Sequence, residues 1–72
     1  MTQREKILLK FAKRLTTLRE KAGISIRELA IRSDLEYSQV QRIEKGKVNF
    51  SYSTLIALAE GLNISPSDLL NF

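Results

Sequence analysis

Apolar residues recur at spacings of three and four along this chain, which is the period of amphipathic α-helices. No segment shows the strict alternation of a half-buried strand. Gly23 follows the first apolar run and suits the C′ position that ends a helix, so the pattern predicts a first helix up to that point. Its apolar positions are Ile7, Leu8, Phe11, Leu15, Leu18 and Ala22.

Two shorter helices are predicted next. Ser25 and Glu28 have the spacing of a capping box, in which each residue satisfies the other's backbone amide. Asp34 then interrupts the pattern and tolerates the left-handed conformation of a tight turn. A third helix is predicted from 36 to 45, stopped by Gly46. The inward positions are Ile26, Leu29 and Ala30 in the second helix and Leu35, Val40 and Ile43 at the third.

The last third of the chain predicts two more helices. Ser51 is an N-cap candidate for a fourth helix, and Asn63 suits its C′ position. Ser65, Pro66 and Asp68 fit the first turn of a short fifth helix. The expected fold is therefore all-α, a compact five-helix bundle forming one domain over residues 1–72. The apolar positions of this part are Leu55, Ile56, Leu58, Ala59, Leu62, Leu69, Leu70 and Phe72.

Composition narrows the possible functions. The 72 residues contain no Cys and no His, which excludes disulfide scaffolds and the common zinc sites and removes the usual nucleophile and base. We therefore expect no enzyme activity, no metal and no cofactor. Twelve Lys and Arg against eight Asp and Glu give a net charge of +4, a weak indication of a nucleic-acid partner. Because no apolar run reaches the roughly 20 residues of a membrane span and no signal peptide is evident, the expected location is the cytoplasm.

The third predicted helix has an outer face rich in hydrogen-bond donors. At 100° per residue, Val40 and Ile43 point inward together, and the opposite side is polar. Such a face, on the second of two helices joined by a tight turn, suits the major groove of DNA. The outward residues are Ser38, Gln41, Arg42 and Lys45, with Tyr37 and Gln39 on the flanks.

Three groups of residues carry a family resemblance: Leu29-Ala30, then Val40-x-x-Ile43-Glu44-x-Gly46, then Leu55-Ile56-x-Leu58-Ala59. Together they resemble the phage-repressor (Cro/Xre-type) helix-turn-helix family, over about residues 11–70. Within that family, residues 33–36 resemble the controller proteins of restriction–modification systems. The resemblance implies a lambda-repressor-like fold with its helix-turn-helix at 25–46. It also implies a homodimeric transcriptional regulator that binds palindromic double-stranded DNA, and we expect no small-molecule effector.

The resemblance also assigns roles to single residues. Arg42 can bind guanine O6 and N7 with two hydrogen bonds, whereas Tyr37 either contacts DNA or packs beside the second helix. Lys47 and Asn49 lie in a loop that covers the DNA backbone in the family, and either can equally be an ordinary surface residue. The implied base contacts are Tyr37, Ser38, Gln41 and Arg42. The implied phosphate contacts are Ser25, Arg27, Gln39, Lys45, Lys47 and Asn49.

Two further roles are structural. The family pairs the Glu at position 44 with an Arg of the first helix, here Arg19, and we expect this ion pair to join helices 1 and 3. The apolar C-terminal segment is expected to form the dimer contact, although the same residues could instead close the monomer core. The residues predicted for the dimer interface are Tyr52, Leu62, Ile64, Leu69, Leu70 and Phe72.

This chain departs from the family pattern at four positions. Ile26 replaces a Gln that touches phosphate, and Asp34 replaces the turn glycine. Phe50 replaces a Pro, with its ring expected either at a dimer contact or against the core. Glu36 would repel phosphate, so it is expected to orient an Arg or contact cytosine N4. The alternative function is an antitoxin-like or adaptor module whose main partner is another protein.

Overall fold

The computed structural model describes residues 1–72 and contains five α-helices and no strand, which confirms the predicted all-α class. Helix α2 packs against both α3 and α4, α1 packs along α3, and α5 closes the end of α4. The helix bounds are α1 Gln3–Lys21, α2 Ile26–Ser33, α3 Tyr37–Glu44, α4 Tyr52–Gly61 and α5 Pro66–Leu69.

The capping box is not where the sequence pattern indicates. The Ser25 hydroxyl accepts a hydrogen bond from the Glu28 amide at 3.0 Å, but the Glu28 carboxylate accepts from Arg32 instead of reaching back. The full box is at α1, where Thr2 and Glu5 bond each other's amides at 3.1 and 2.7 Å. Hydrogen bonding of the Glu5 carboxyl with Thr2, first with its backbone amide and then with its side chain, lowers the pKa of that carboxyl.

The turns between helices use left-handed residues as expected. Asp34 has φ 55° and Asn63 has φ 58°, so both predicted turn positions are confirmed. Gly46 has φ 70°, and a Cβ there would lie 2.7 Å from Cδ2 of Leu9, so this turn needs glycine for both conformation and space. Helix α3 is one residue shorter at each end than predicted, because Glu36 and Lys45 are its caps.

One apolar core joins all five helices. Ile7 is 56% exposed, contrary to its predicted inward position, because residues 1–7 of the chain are all exposed and the buried side chains of α1 begin at Phe11. Phe50 packs against the core, its ring centroid 4.8 Å from that of Phe11, which decides between its two expected positions. The buried core residues are Phe11, Leu15, Leu29, Ala30, Val40, Ile43, Leu58, Ala59, Leu62 and Leu69.

The C-terminal segment contributes to this core more than expected. Leu69 is 0% exposed and Leu62 is 9% exposed, so both side chains pack in the monomer core, which is the alternative expected for them. Such burial leaves them little surface for a dimer contact, and that part of the prediction stays untested. Arg14 of α1 also reaches this segment. Its guanidinium donates to the carbonyl oxygens of Leu69 at 3.3 Å and Asp68 at 2.6 Å. These bonds join α1 to the carbonyls at the end of α5, where the Asp68 carbonyl also accepts from the Asn71 amide at 3.2 Å.

Helix α4 packs tightly against α2 at Gly61. A Cβ at this position would collide with the Ser33 hydroxyl oxygen and would lie 3.0 Å from Cδ1 of Leu29. Ser33 is buried, and its hydroxyl has no hydrogen-bond partner. The contact between the two helices therefore requires glycine at position 61 of α4, and it leaves the Ser33 hydroxyl of α2 without a hydrogen bond.

We expect Gly61→Ala to lower the free energy of unfolding by about 1–3 kcal/mol, the usual cost of overpacking a core. Ser33→Ala should be neutral or stabilising, because it removes an unpaired buried hydroxyl. The double variant should recover part of the loss, since the added methyl group no longer meets the hydroxyl oxygen. Urea denaturation of the four proteins measures these values, and a Gly61→Ala protein as stable as the parent would contradict the packing described.

Candidate nucleic-acid interface

The outer face of α3 is the candidate interface. Val40 and Ile43 are buried against α1 and α2, which turns the opposite side of the helix to solvent. Ser38, Arg42 and Lys45 are exposed on that side. They lie one turn apart in succession, so three hydrogen-bonding groups follow one line of the helix surface. Gln41 is half-buried beside them.

Helix α3 is held in place at its C-terminal end by a buried ion pair. Arg19 donates to both carboxylate oxygens of Glu44, through Nε at 2.7 Å and Nη2 at 3.0 Å. The side chains are 13% and 6% exposed. Two further bonds complete the network: Arg19 Nη1 donates to the Ile24 carbonyl at 2.9 Å, and the Thr16 hydroxyl donates to Glu44 at 2.9 Å. Every carboxylate oxygen thus has a donor in a water-poor site.

The pKa of the Arg19 guanidinium is raised above its ordinary value, first by the hydrogen bonds to Glu44 and then by the Glu44 and Glu20 charges, against the opposing effect of burial. A raised pKa of a basic group stabilises the fold below the ordinary arginine pKa, and the effect is lost only as pH rises through the raised value. Arg19 therefore stays charged at all ordinary pH values, and its charge does not make the position of α3 pH-dependent.

The N-terminal end of α3 contacts α2 through an aromatic ring. The Arg27 guanidinium carbon lies 5.1 Å from the centroid of the Tyr37 ring, in the geometry of a cation–π contact. Tyr37 remains 41% exposed. Both residues, with Ser25 and Ile26, line a shallow concavity at the start of α2. The structure therefore brings together Ser25 and Arg27, for which the resemblance implies phosphate contacts, and Tyr37, for which it implies a base contact.

The remaining predicted phosphate contacts lie around the N-terminus of α4 and the preceding loop. Gln39 points toward α4, with its Nε2 3.5 Å from the Thr54 hydroxyl. Asn49 accepts a hydrogen bond from the Phe50 amide at 2.9 Å, so its oxygen is engaged and its amide nitrogen is left to donate outward. Lys47 is exposed. Whether any of these residues contacts DNA stays a prediction.

Glu36 differs from the other residues of this surface. It occupies the N-cap of α3, but its side chain makes no capping hydrogen bond. The two ion pairs of the structure are Arg19–Glu44 and Arg32–Glu28, so Glu36 has no arginine partner in the free protein. Its two expected roles, orienting an Arg or contacting cytosine N4, stay predictions.

The remaining dimer candidates are exposed or partly exposed. Tyr52 is 77% exposed at the start of α4, Leu70 is 49% and Phe72 is 61% exposed, and Ile64 is half-buried. Phe72 lines a shallow groove with residues of α1, among them Lys13 and Thr17. Sequence reasoning missed the structural roles of Arg14 and Thr16. No local pattern indicates either contact, because each joins residues far apart in the chain.

Comparison with known proteins agrees with this geometry. Residues 10–72 match the model of the helix-turn-helix domain family. The chain belongs to the helix-turn-helix family. No curated protein matches it by sequence.

Two solved relatives have the same fold. The restriction-modification controller protein C.AhdI from Aeromonas hydrophila is 39% identical, with a TM-score of 0.86 over 89% of this chain and 97% of its own. The clp gene regulator ClgR from Corynebacterium glutamicum is 25% identical, with a TM-score of 0.81 over 88% of this chain and 67% of its own. A second ClgR structure gives a TM-score of 0.80. The family resemblance inferred from sequence is therefore confirmed, and the fold is that of helix-turn-helix DNA-binding regulators.

These relatives are regulators rather than enzymes. None of the five helices combines the length and the apolarity needed to cross a lipid bilayer.

We expect Arg19→Ala and Glu44→Ala each to lower the free energy of unfolding by about 3–5 kcal/mol, because each leaves a buried charge without its partner. The exposed pair Arg32–Glu28, whose side chains are 48% and 45% exposed, is the internal control. Removal of either of its members should cost about 0–1 kcal/mol. Thermal melts and urea titrations of the four variants make the comparison. Equal losses at both pairs would show that the buried pair does not hold α3 in place.

Proposed function

We propose that this protein is a sequence-specific transcriptional regulator that binds a palindromic operator as a homodimer, with α3 of each protomer in the major groove. The observation that supports this most directly is the exposed polar face of α3 on a fold shared with a restriction-modification controller protein. Within that face, Arg42 is the main sequence reader. Its exposed guanidinium takes part in no ion pair and can bind guanine O6 and N7 together.

The positive groups around α3 fit the two DNA strands. Arg27 and Ser25 at the start of α2 lie on one side of the helix face, and Lys47 and Asn49 lie in the loop before α4. Contacts to phosphates from both sides would fix the register of α3, while its outer residues read bases. The net charge of +4 strengthens association with DNA regardless of sequence.

Two protomers make enough base contacts to select one DNA sequence, whereas one protomer does not. A single eight-residue α3 offers too few base contacts for selection among many sites. Two recognition helices about 34 Å apart read half-sites separated by one turn of DNA. The protomer is 31 Å along its longest axis, so adjacent protomers can satisfy this spacing. We assign the dimer contact to Tyr52, Ile64, Leu70 and Phe72.

We expect Arg42→Ala to weaken binding to the operator by about 1–3 kcal/mol per half-site and to relax the preference at one base pair. Arg32→Ala removes the same charge from an exposed position on α2 and should bind the operator almost as tightly as the parent. The operator is first found by selection from a random DNA pool. Affinity is then measured by fluorescence anisotropy at several salt concentrations.

Equal binding by the Arg42→Ala and Arg32→Ala proteins would exclude Arg42 as a base reader. If the parent protein selects no sequence and its binding lacks salt dependence, DNA is not its ligand. The alternative, a module whose main partner is another protein, would then take its place.

The dimer contact is tested separately. Leu70→Glu and Tyr52→Glu should each raise the dimer dissociation constant by at least about tenfold, because each places a charge in an apolar contact, once on each side of the two-fold interface. Ile7→Glu is the matched control, since the exposure of Ile7, 56%, lies between those of Leu70 and Tyr52, and Ile7 belongs to α1. Analytical ultracentrifugation measures the constants. A loss of dimer in the Ile7→Glu protein alone would move the interface to α1.

A further inference from the structure

The unpaired carboxylate of Glu36 lies at the start of α3, the helix proposed to enter the major groove. The other four helices begin at a Thr or Ser whose side chain accepts a hydrogen bond from the helix backbone. Helix α3 begins at Glu36, whose side chain accepts none. Glu36 is exposed and belongs to neither ion pair of the structure. Its carboxylate therefore satisfies no hydrogen-bonding group of the protein.

This charge works against general DNA affinity. Glu36 precedes Tyr37 and Ser38, on a surface whose other charged groups include Arg27, Arg42 and Lys45. A carboxylate there repels phosphates and lowers binding to every sequence. The helix dipole favours an acid at this position, but a Ser would cap the helix without the repulsion, as Ser25 does for α2. The structural benefit of a Glu thus does not account for it.

The carboxylate has a specific use in the major groove. An ionised Glu only accepts hydrogen bonds. Guanine and the thymine carbonyl present acceptors there, and adenine presents its N6 donor beside the N7 acceptor. Cytosine alone presents a donor, N4, without an acceptor of its own next to it. A carboxylate entering the groove is therefore attracted to cytosine and repelled by the acceptor atoms of the other bases.

We propose that Glu36 is a specificity-determining residue that accepts a hydrogen bond from cytosine N4, so that each half-site contains a C·G pair opposite the start of α3. This inference rests on the proposed function, since it requires α3 in the major groove. Because its charge also weakens binding to all other sequences, Glu36 increases discrimination at the expense of affinity.

The test compares Glu36→Gln and Glu36→Ala with the parent, using sequence selection followed by anisotropy titrations on operators altered at one base pair. Glu36→Ala should lose a roughly tenfold preference for C·G at a single position and bind random DNA more tightly. Glu36→Gln should bind A·T there at least as well as C·G, because an amide can pair with adenine N6 and N7. Glu60→Gln, which removes the same charge from an exposed site on α4, should leave every preference unchanged.

The proposal is overturned if both Glu36 variants keep the parent's preference at every position, or if the lost preference is for a base other than cytosine. It is also overturned if Glu60→Gln changes the same position, because the effect would then come from net charge. These results differ from failure of the proposed function. In that case the parent selects no sequence, and Arg42→Ala binds as the parent does.

Discussion

The position of α3 depends on a single guanidinium. Arg19 extends from the last turns of α1, donates two hydrogen bonds to Glu44 on α3 and a third to the Ile24 carbonyl in the loop before α2. One side chain thus joins three parts of the chain: α1, α3 and the loop before α2. Because apolar contacts are not directional, the core supplies cohesion, while the planar guanidinium fixes distance and angle.

The two ends of α3 are held by different kinds of contact. At its C-terminal end, the buried Glu44 side chain accepts hydrogen bonds from Arg19 and Thr16. At its N-terminal end, the Tyr37 ring makes a cation–π contact with the exposed Arg27. An exposed cation–π contact contributes little compared with a buried ion pair. The N-terminal end of α3 is therefore held by the weaker of these two contacts.

Local patterns predicted the fold well because each helix end has its own signal within a few residues. Asp34 and Asn63 adopt the left-handed turns expected of them, and Ser51 and Ser65 cap the helices assigned to them. Errors arose where a residue had two available partners. Glu28 has the spacing of a capping box, but its carboxylate accepts a hydrogen bond from Arg32. Periodicity also cannot show where a helix extends beyond its neighbours, and this is why Ile7 was misplaced.

The candidate site was predictable to the extent that it follows from helix geometry and family resemblance. Those two arguments place Ser38 and Arg42 on one face, and the structure leaves both exposed. They cannot identify contacts between distant residues, such as Arg14 with the end of α5. That contact has a consequence for the C-terminus: Leu69 is buried in the core and its carbonyl is bound by Arg14. The segment after α5 therefore starts from a fixed point, and only Leu70 and Phe72 present large apolar side chains beyond it.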